Sequence, residues 1–163
     1  MKCIAIIGKK RTGKTTKAVE LIRSLEMPTF IFDINNEYTR KFGLKNDYKG
    51  KISMEEFQSN VMNKRNCCLV FEEAAPFLKR SNSVLIDIMQ RSRHTNNVVI
   101  LILHQIADLP RDLYGRIDYI VLFKTQDFQS TLDSKFRSNE DFMFNYQLVK
   151  DSDDSHFFTI FET

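Results

Sequence analysis

Gly8-Lys9-Lys10-Arg11-Thr12-Gly13-Lys14-Thr15-Thr16 is the stretch on which the reading of this chain turns. It fits G-x-x-x-x-G-K-[ST], the phosphate-binding (Walker A) pattern. Glycines at both ends allow a tight loop whose backbone N–H groups converge on an anion. Lys14 brings a point charge to the β- and γ-phosphates, and the Thr15 hydroxyl suits the shell of Mg²⁺. The flanks supply the context the pattern needs. Ile4-Ala5-Ile6-Ile7 is a continuous apolar run, as in a strand covered on both faces. Ala18, Leu21, Ile22 and Leu25 recur at i, i+3, i+4 and i+7, which is one helix face. A buried strand, a glycine-bounded loop and a helix N-terminus predict binding of a nucleoside triphosphate with Mg²⁺. The whole segment from Gly8 to Thr16 is the candidate binding loop.

Length and composition set the frame. The 163 residues suit one domain, 1–163, around a single substantial core. The chain is 42 % hydrophobic and 28 % charged, values typical of a globular protein. A net charge of +3 permits contact with nucleic acid without arguing for it, because a basic stripe or patch would be needed. Three cysteines cannot all pair, and Cys67 and Cys68 are adjacent in an apolar run. They read as buried, reduced thiols, and without a CxxC pair no zinc site is suggested. The N-terminal apolar run serves as a strand and not as a signal peptide. The longest later one, Val98 to Leu103, is far too short to span a membrane, so the expectation is a cytoplasmic protein without a span.

Cys67-Cys68-Leu69-Val70-Phe71-Glu72-Glu73 is the second informative stretch. An apolar run that closes on two acids is the Walker B pattern. With its strand beside the phosphate loop, Glu72 is expected at Mg²⁺ and Glu73 at the attacking water. Glu72 stands where Asp is usual. Between the two motifs, Thr29-Phe30-Ile31-Phe32 reads as a strand that ends in the polar run Asp33 to Tyr38. Asp33 or Glu37 there is either near the nucleotide or part of a solvated loop. Residues 39 to 52, with Arg40, Lys41, Lys45, Lys49 and Lys51, form a solvated connector or a nucleic-acid contact. Ser53 with Glu56 makes a capping box for a short helix carrying Met54, Phe57 and Val61.

Beyond the acids, Pro76 makes Ala74 to Leu78 irregular, and Ser83 to Arg93 reads as a helix. Its basic end, Arg91-Ser92-Arg93-His94, partners the helix dipole or reaches a neighbour's triphosphate. Val98 to Leu103 is a buried strand ending in His104-Gln105, where a γ-phosphate sensor would sit. Ile106 to Tyr114 reads as a loop or short helical turn. Arg116 precedes a strand from Tyr119 to Phe123. Phe128, Leu132 and Phe136 make one helix face, Phe142 and Tyr146 suggest another short helix, and Phe157 to Phe161 a last strand.

Strands alternating with helices after a phosphate loop predict an α/β fold: a P-loop NTPase with a mostly parallel central sheet flanked by helices. The strand and helix between the paired acids and Gln105 resemble the additional-strand, RecA-like division of P-loop ATPases. More narrowly, the order Walker A, Glu72-Glu73, Arg91-Ser92-Arg93-His94, His104-Gln105 and Gly115-Arg116-Ile117-Asp118-Tyr119 resembles the FtsK–HerA superfamily. Within it the chain is most similar to the poxvirus-type genome-packaging ATPases of viruses and phages. That resemblance implies an ATPase in which Lys14 and Thr15 bind triphosphate and Mg²⁺, Glu72 holds the metal and Glu73 activates water. It further implies Gln105 as γ-phosphate sensor and Arg93 or Arg116 as an arginine finger across a subunit interface. The implied partners are double-stranded DNA held by its backbone, a homo-oligomeric ring (pentamer or hexamer) and a capsid vertex protein. The implied place is the infected cell's cytoplasm or the virion. A small nucleoside or nucleotide kinase and a P-loop assembly protein that translocates nothing are the competing readings.

Overall fold

The computed structural model describes residues 2–45, 52–78, 84–136 and 139–163. Among these residues six strands form one sheet: β1 (Lys2–Ile7), β2 (Thr29–Phe32), β3 (Cys68–Phe71), β4 (Val98–Leu103), β5 (Tyr119–Phe123) and β6 (Phe158–Glu162). Their spatial order is β2-β3-β4-β1-β5-β6. All neighbours are parallel except β5 and β6, which run antiparallel from Tyr119↔Glu162 to Phe123↔Phe158. The α/β fold read from the sequence is therefore present. Between the strand carrying Glu72 and Glu73 and the phosphate-loop strand stands β4, with Lys2↔Val98 on one side and Cys68↔Val98 on the other, the place of an additional strand. Every residue of β4 is buried, and a strand so apolar is stable only in the middle of a sheet.

Among the described residues seven helices cover the sheet: α1 (Lys14–Leu25), α2 (Glu37–Phe42), α3 (Met54–Val61), α4 (Val84–Thr95), α5 (Arg111–Tyr114), α6 (Gln129–Phe136) and α7 (Glu140–Asp151). Alternation along β1 divides the core. Ile4 and Ile6 face α1 and α2 with Ala18, Val19, Ile22 and Tyr38. Cys3, Ala5 and Ile7 face the other layer, where Phe57, Leu85, Leu132 and Phe142 pack. The three cysteines are free and buried.

Several local expectations change. Helix α2 falls where a connector was read, closed by Gly43 at φ 65°; Lys49 and Lys51 of that connector, like Ser83, lie outside the described residues. Ser53 does cap α3, accepting from the Glu56 N–H. The spacing puts Phe128 on a helix face with Leu132 and Phe136, but α6 begins one residue later and Phe128 is 79 % exposed. The short helix around Phe142 and Tyr146 has twelve residues, capped by the Asn139 side chain. Pro76 sits in a 3₁₀ turn, Ala75–Phe77.

Candidate active site

β1 delivers the chain to the carboxyl edge of the sheet, where the loop from Gly8 is stitched to both neighbouring strands. The Gly8 N–H donates to Leu103 O (3.2 Å) and the Lys9 N–H to Lys124 O (2.8 Å). A Cβ on Gly8 would stand 2.5 Å from Phe123 Cβ, so no larger residue fits this approach. Gly13 caps α1 at φ 93°, a conformation that favours glycine. No side chain caps this helix and its first turn holds no acid, which leaves the orphan N–H groups of the first turn for an outside anion. The Thr12 hydroxyl and the Lys14 ammonium both donate to Lys9 O, each at 2.9 Å. Lys14 is buried, and burial lowers its pKa, opposed by the nearby Glu72 carboxylate. Lys10, Arg11 and Thr16 are exposed along the loop, while Lys9 and Thr15 are half-buried.

The two acids leave β3 in different directions. Glu72 is the more buried, and its Oε2 accepts the Tyr38 hydroxyl at 2.7 Å. Burial pushes the Glu72 carboxyl up to about 7; the Tyr38 bond opposes this, nearby Asp33 and Glu37 add to it, and Lys14 opposes it. Asp33 is itself buried and spends its oxygens on the Asn35 and Tyr38 N–H groups, 3.0 Å each. It thereby folds the turn that presents Tyr38. Glu37 is bonded to Lys41 on α2. Glu73 takes a left-handed backbone at φ 53°, a strained position for a residue with a Cβ, and its half-exposed carboxylate lies 3.7 Å from His104 Nε2. Lys14 senses both acids electrostatically, so Lys14, Glu72 and Glu73 share one site. Among the described residues no three His, Cys, Asp or Glu side chains are grouped to hold a metal by themselves. A half-buried carboxylate with two further acids nearby, Asp33 and Glu37, has the donor chemistry to join a hydroxyl and the phosphates of a substrate around Mg²⁺.

Gln105 is brought near the site but faces solvent. Its N–H, with that of His104, donates to Asp108 Oδ2 (2.9 and 3.2 Å) and starts a 3₁₀ turn, Ile106–Asp108. The residue that meets Glu73 is His104, whose Nδ1 is buried without a partner among the described residues. Arg93 and Arg116 are not brought to the loop. Arg93 is in the last turn of α4, close enough to Cys3 to lower its pKa against the stronger effect of burial. Arg116 precedes β5, and two residues on Asp118 accepts the Cys3 N–H at 2.6 Å. Both arginines therefore stand at the amino edge, the length of a six-residue strand, roughly 17 Å, from Gly8. Sequence reasoning missed Tyr38 and His104. The second was signalled by its place at the end of an apolar strand; the first carried no signal.

The model of the ATPase family associated with various cellular activities (AAA) matches residues 4–125. No curated protein sequence matches the chain. Among solved structures, the genome packaging NTPase B204 of Sulfolobus turreted icosahedral virus 2 in complex with AMP superposes with a TM-score of 0.74 at 17 % identity, covering 99 % of this chain and 92 % of that one. The DNA-packaging ATPase B204 of Sulfolobus turreted icosahedral virus gives 0.73 at 18 % identity with the same coverage. The N-terminal domain of zonular occludens toxin from Neisseria meningitidis gives 0.55 at 14 %, covering 78 % of this chain and 79 % of that one. Over its phosphate loop, its paired acids and the sheet that carries them, this chain belongs to the ATPase family associated with various cellular activities, with the fold of the genome-packaging NTPases.

Proposed function

We propose that this chain is a single-domain ATP-hydrolysing DNA translocase, a packaging motor that works as a ring of five or six copies and drives double-stranded DNA into a capsid. One observation carries the reading: the likeness to packaging NTPases extends over 99 % of the chain, including α6, α7 and β6 beyond the family match. The site chemistry agrees with it. The N–H groups from Gly8 to Thr16 cradle the phosphates, and Lys14 leaves Lys9 O to contact the β- and γ-phosphates. Thr15 and Glu72 would hold Mg²⁺, which when bound would neutralise charge on those phosphates. Glu73 orients the attacking water and accepts its proton as oxygen bonds to the γ-phosphorus and the bond to the bridging oxygen breaks. Gln105 senses the γ-phosphate, with His104 fixing the Glu73 carboxylate beside it. Arg93 or Arg116 acts on a neighbour's triphosphate, because neither reaches that of its own chain. The partners are further copies of the chain, DNA and a capsid vertex protein.

DNA is held by its phosphates, since the lysines and arginines are scattered and no recognition helix is evident. The test is ATP hydrolysis with and without double-stranded DNA, alongside phosphate transfer to nucleosides. The expected result is DNA-stimulated hydrolysis, insensitive to sequence and falling steeply with salt. Phosphate transfer to a nucleoside would establish a kinase instead. Hydrolysis indifferent to DNA would favour an assembly protein that translocates nothing. Among the described residues no helix is long and apolar enough to cross a membrane.

A further inference from the structure

The catalytic acids stand on one side of the phosphate loop only. β4 and β3 lie to that side of β1, with Glu72 and Glu73 at their carboxyl edge, and β5 and β6 lie to the other. A triphosphate laid across the loop with its γ end at Glu73 would carry its nucleoside toward β5 and β6. On that side the segment 152–157, between α7 and β6, rises against the loop. His156 Cδ2 is 3.4 Å from where a Cβ on Gly13 would stand. We propose that His156 is a nucleoside-binding residue, its ring packing on the base of the nucleotide held by the phosphate loop. The inference rests on the phosphate-loop reading above and names what that reading leaves open, how the chain holds the part of the substrate that is not phosphate.

Three observations support it. The segment is fixed relative to the phosphate loop from two elements. Lys124, which follows β5, donates from Nζ to Ser152 O at 3.0 Å. Lys17 of α1 stands 4.6 Å above the Phe158 ring, and that ring packs at 5.1 Å on Phe123, the residue beneath Gly8. The segment is also folded on itself, with the His156 N–H on Asp154 Oδ1 (2.8 Å) and the Phe157 N–H on Asp154 O (3.2 Å). Finally, the imidazole is positioned but not used up. Its Nδ1 faces Ser155 Oγ (3.3 Å) and Asp154 Oδ1 (3.7 Å), which turns the Cδ2 edge toward the loop, while 68 % of the side chain stays exposed. An aromatic ring held at one edge with its surface open suits stacking, which tolerates any base.

The test compares ligands that share phosphates and differ in the nucleoside. Affinities for ADP and for inorganic tripolyphosphate are measured with Mg²⁺ in the wild type, His156→Ala, His156→Phe and Lys14→Ala. His156→Ala should bind ADP about tenfold more weakly and tripolyphosphate as the wild type does. His156→Phe, which keeps a flat ring, should restore most of the ADP affinity. Lys14→Ala should weaken both ligands, and that result supports the phosphate loop whatever His156 does. Unchanged ADP affinity in His156→Ala would overturn the proposal. So would a parallel loss of both ligands, since His156 would then act on Gly13 and its loop. A wild type that binds neither ligand would overturn the phosphate-loop reading and this inference with it.

Discussion

The two edges of the sheet hold their charged residues in opposite ways. At the carboxyl edge Lys14 is buried with its ammonium on Lys9 O, and Glu72 is fixed by Tyr38, itself fixed through Asp33. At the amino edge Arg93 is exposed and Arg116 half-exposed, and among the described residues neither guanidinium has a hydrogen-bond or ion-pair partner. The first edge is organised within one chain. The second presents these two cations to solvent. Substitutions at the carboxyl edge should thus act inside a subunit, and those at the amino edge only between subunits.

The largest effect expected tests the carboxyl edge. Lys14→Ala should abolish hydrolysis while shifting the thermal transition of the unliganded protein little, since Lys14 has one hydrogen bond and a burial cost to lose. Glu73→Gln should keep ATP binding and remove turnover, because only the proton-accepting role is lost. Steady-state turnover and nucleotide affinity, measured on both variants, separate the roles. If Glu72→Gln is the variant that binds without turnover and Glu73→Gln is fully active, the two acids exchange roles.

The next effect tests the amino edge. An arginine finger in trans is worth about 10³ to 10⁵ in turnover. Arg93→Ala or Arg116→Ala alone should be that much slower, and mixing the inactive arginine variant with Lys14→Ala should restore activity, since one keeps its loop and the other its arginines. Full activity of both arginine variants would leave the amino edge without a catalytic part and the comparison would end there.

Much of this contrast was legible in the sequence where information was dense and local. Nine consecutive residues specify the phosphate loop, and unbroken apolar runs specify β1, β3 and β4 because only strands buried on both faces tolerate them. What sequence could not supply was adjacency. Periodicity does not say that β4 enters between β1 and β3. Six-residue α2 is too short to show a helical period, and Phe128 satisfied the period while lying one residue outside its helix. Tyr38 meets Glu72 across 34 positions and His156 meets Gly13 from the far end of the chain, contacts that the sheet makes and no motif records.

The smallest effect sharpens the comparison from the stability side. Glu72 has its carboxyl raised from 4.5 to about 7 chiefly by burial, so the folded chain holds that proton more tightly than the unfolded chain does. Between those values stability falls as pH rises: the contribution is complete below about 4.5 and gone above about 7. In Glu72→Gln the Tyr38 hydroxyl keeps an acceptor and the charge is removed. That variant should match the wild type at pH 4.5 and exceed it at pH 8 by on the order of 2 kcal/mol, about 5 °C in Tm for a chain of this size. The measurement is thermal unfolding at both pH values with nucleotide and divalent ions removed. The same experiment at the amino edge, with Arg93→Gln, should show no such pH-dependent gain, because an exposed guanidinium has no burial cost to lose. A Glu72→Gln protein equally stable with the wild type at both pH values would mean that water reaches this carboxylate freely. The carboxyl edge would then be no more enclosed than the amino edge, and the difference between them would lie in position alone.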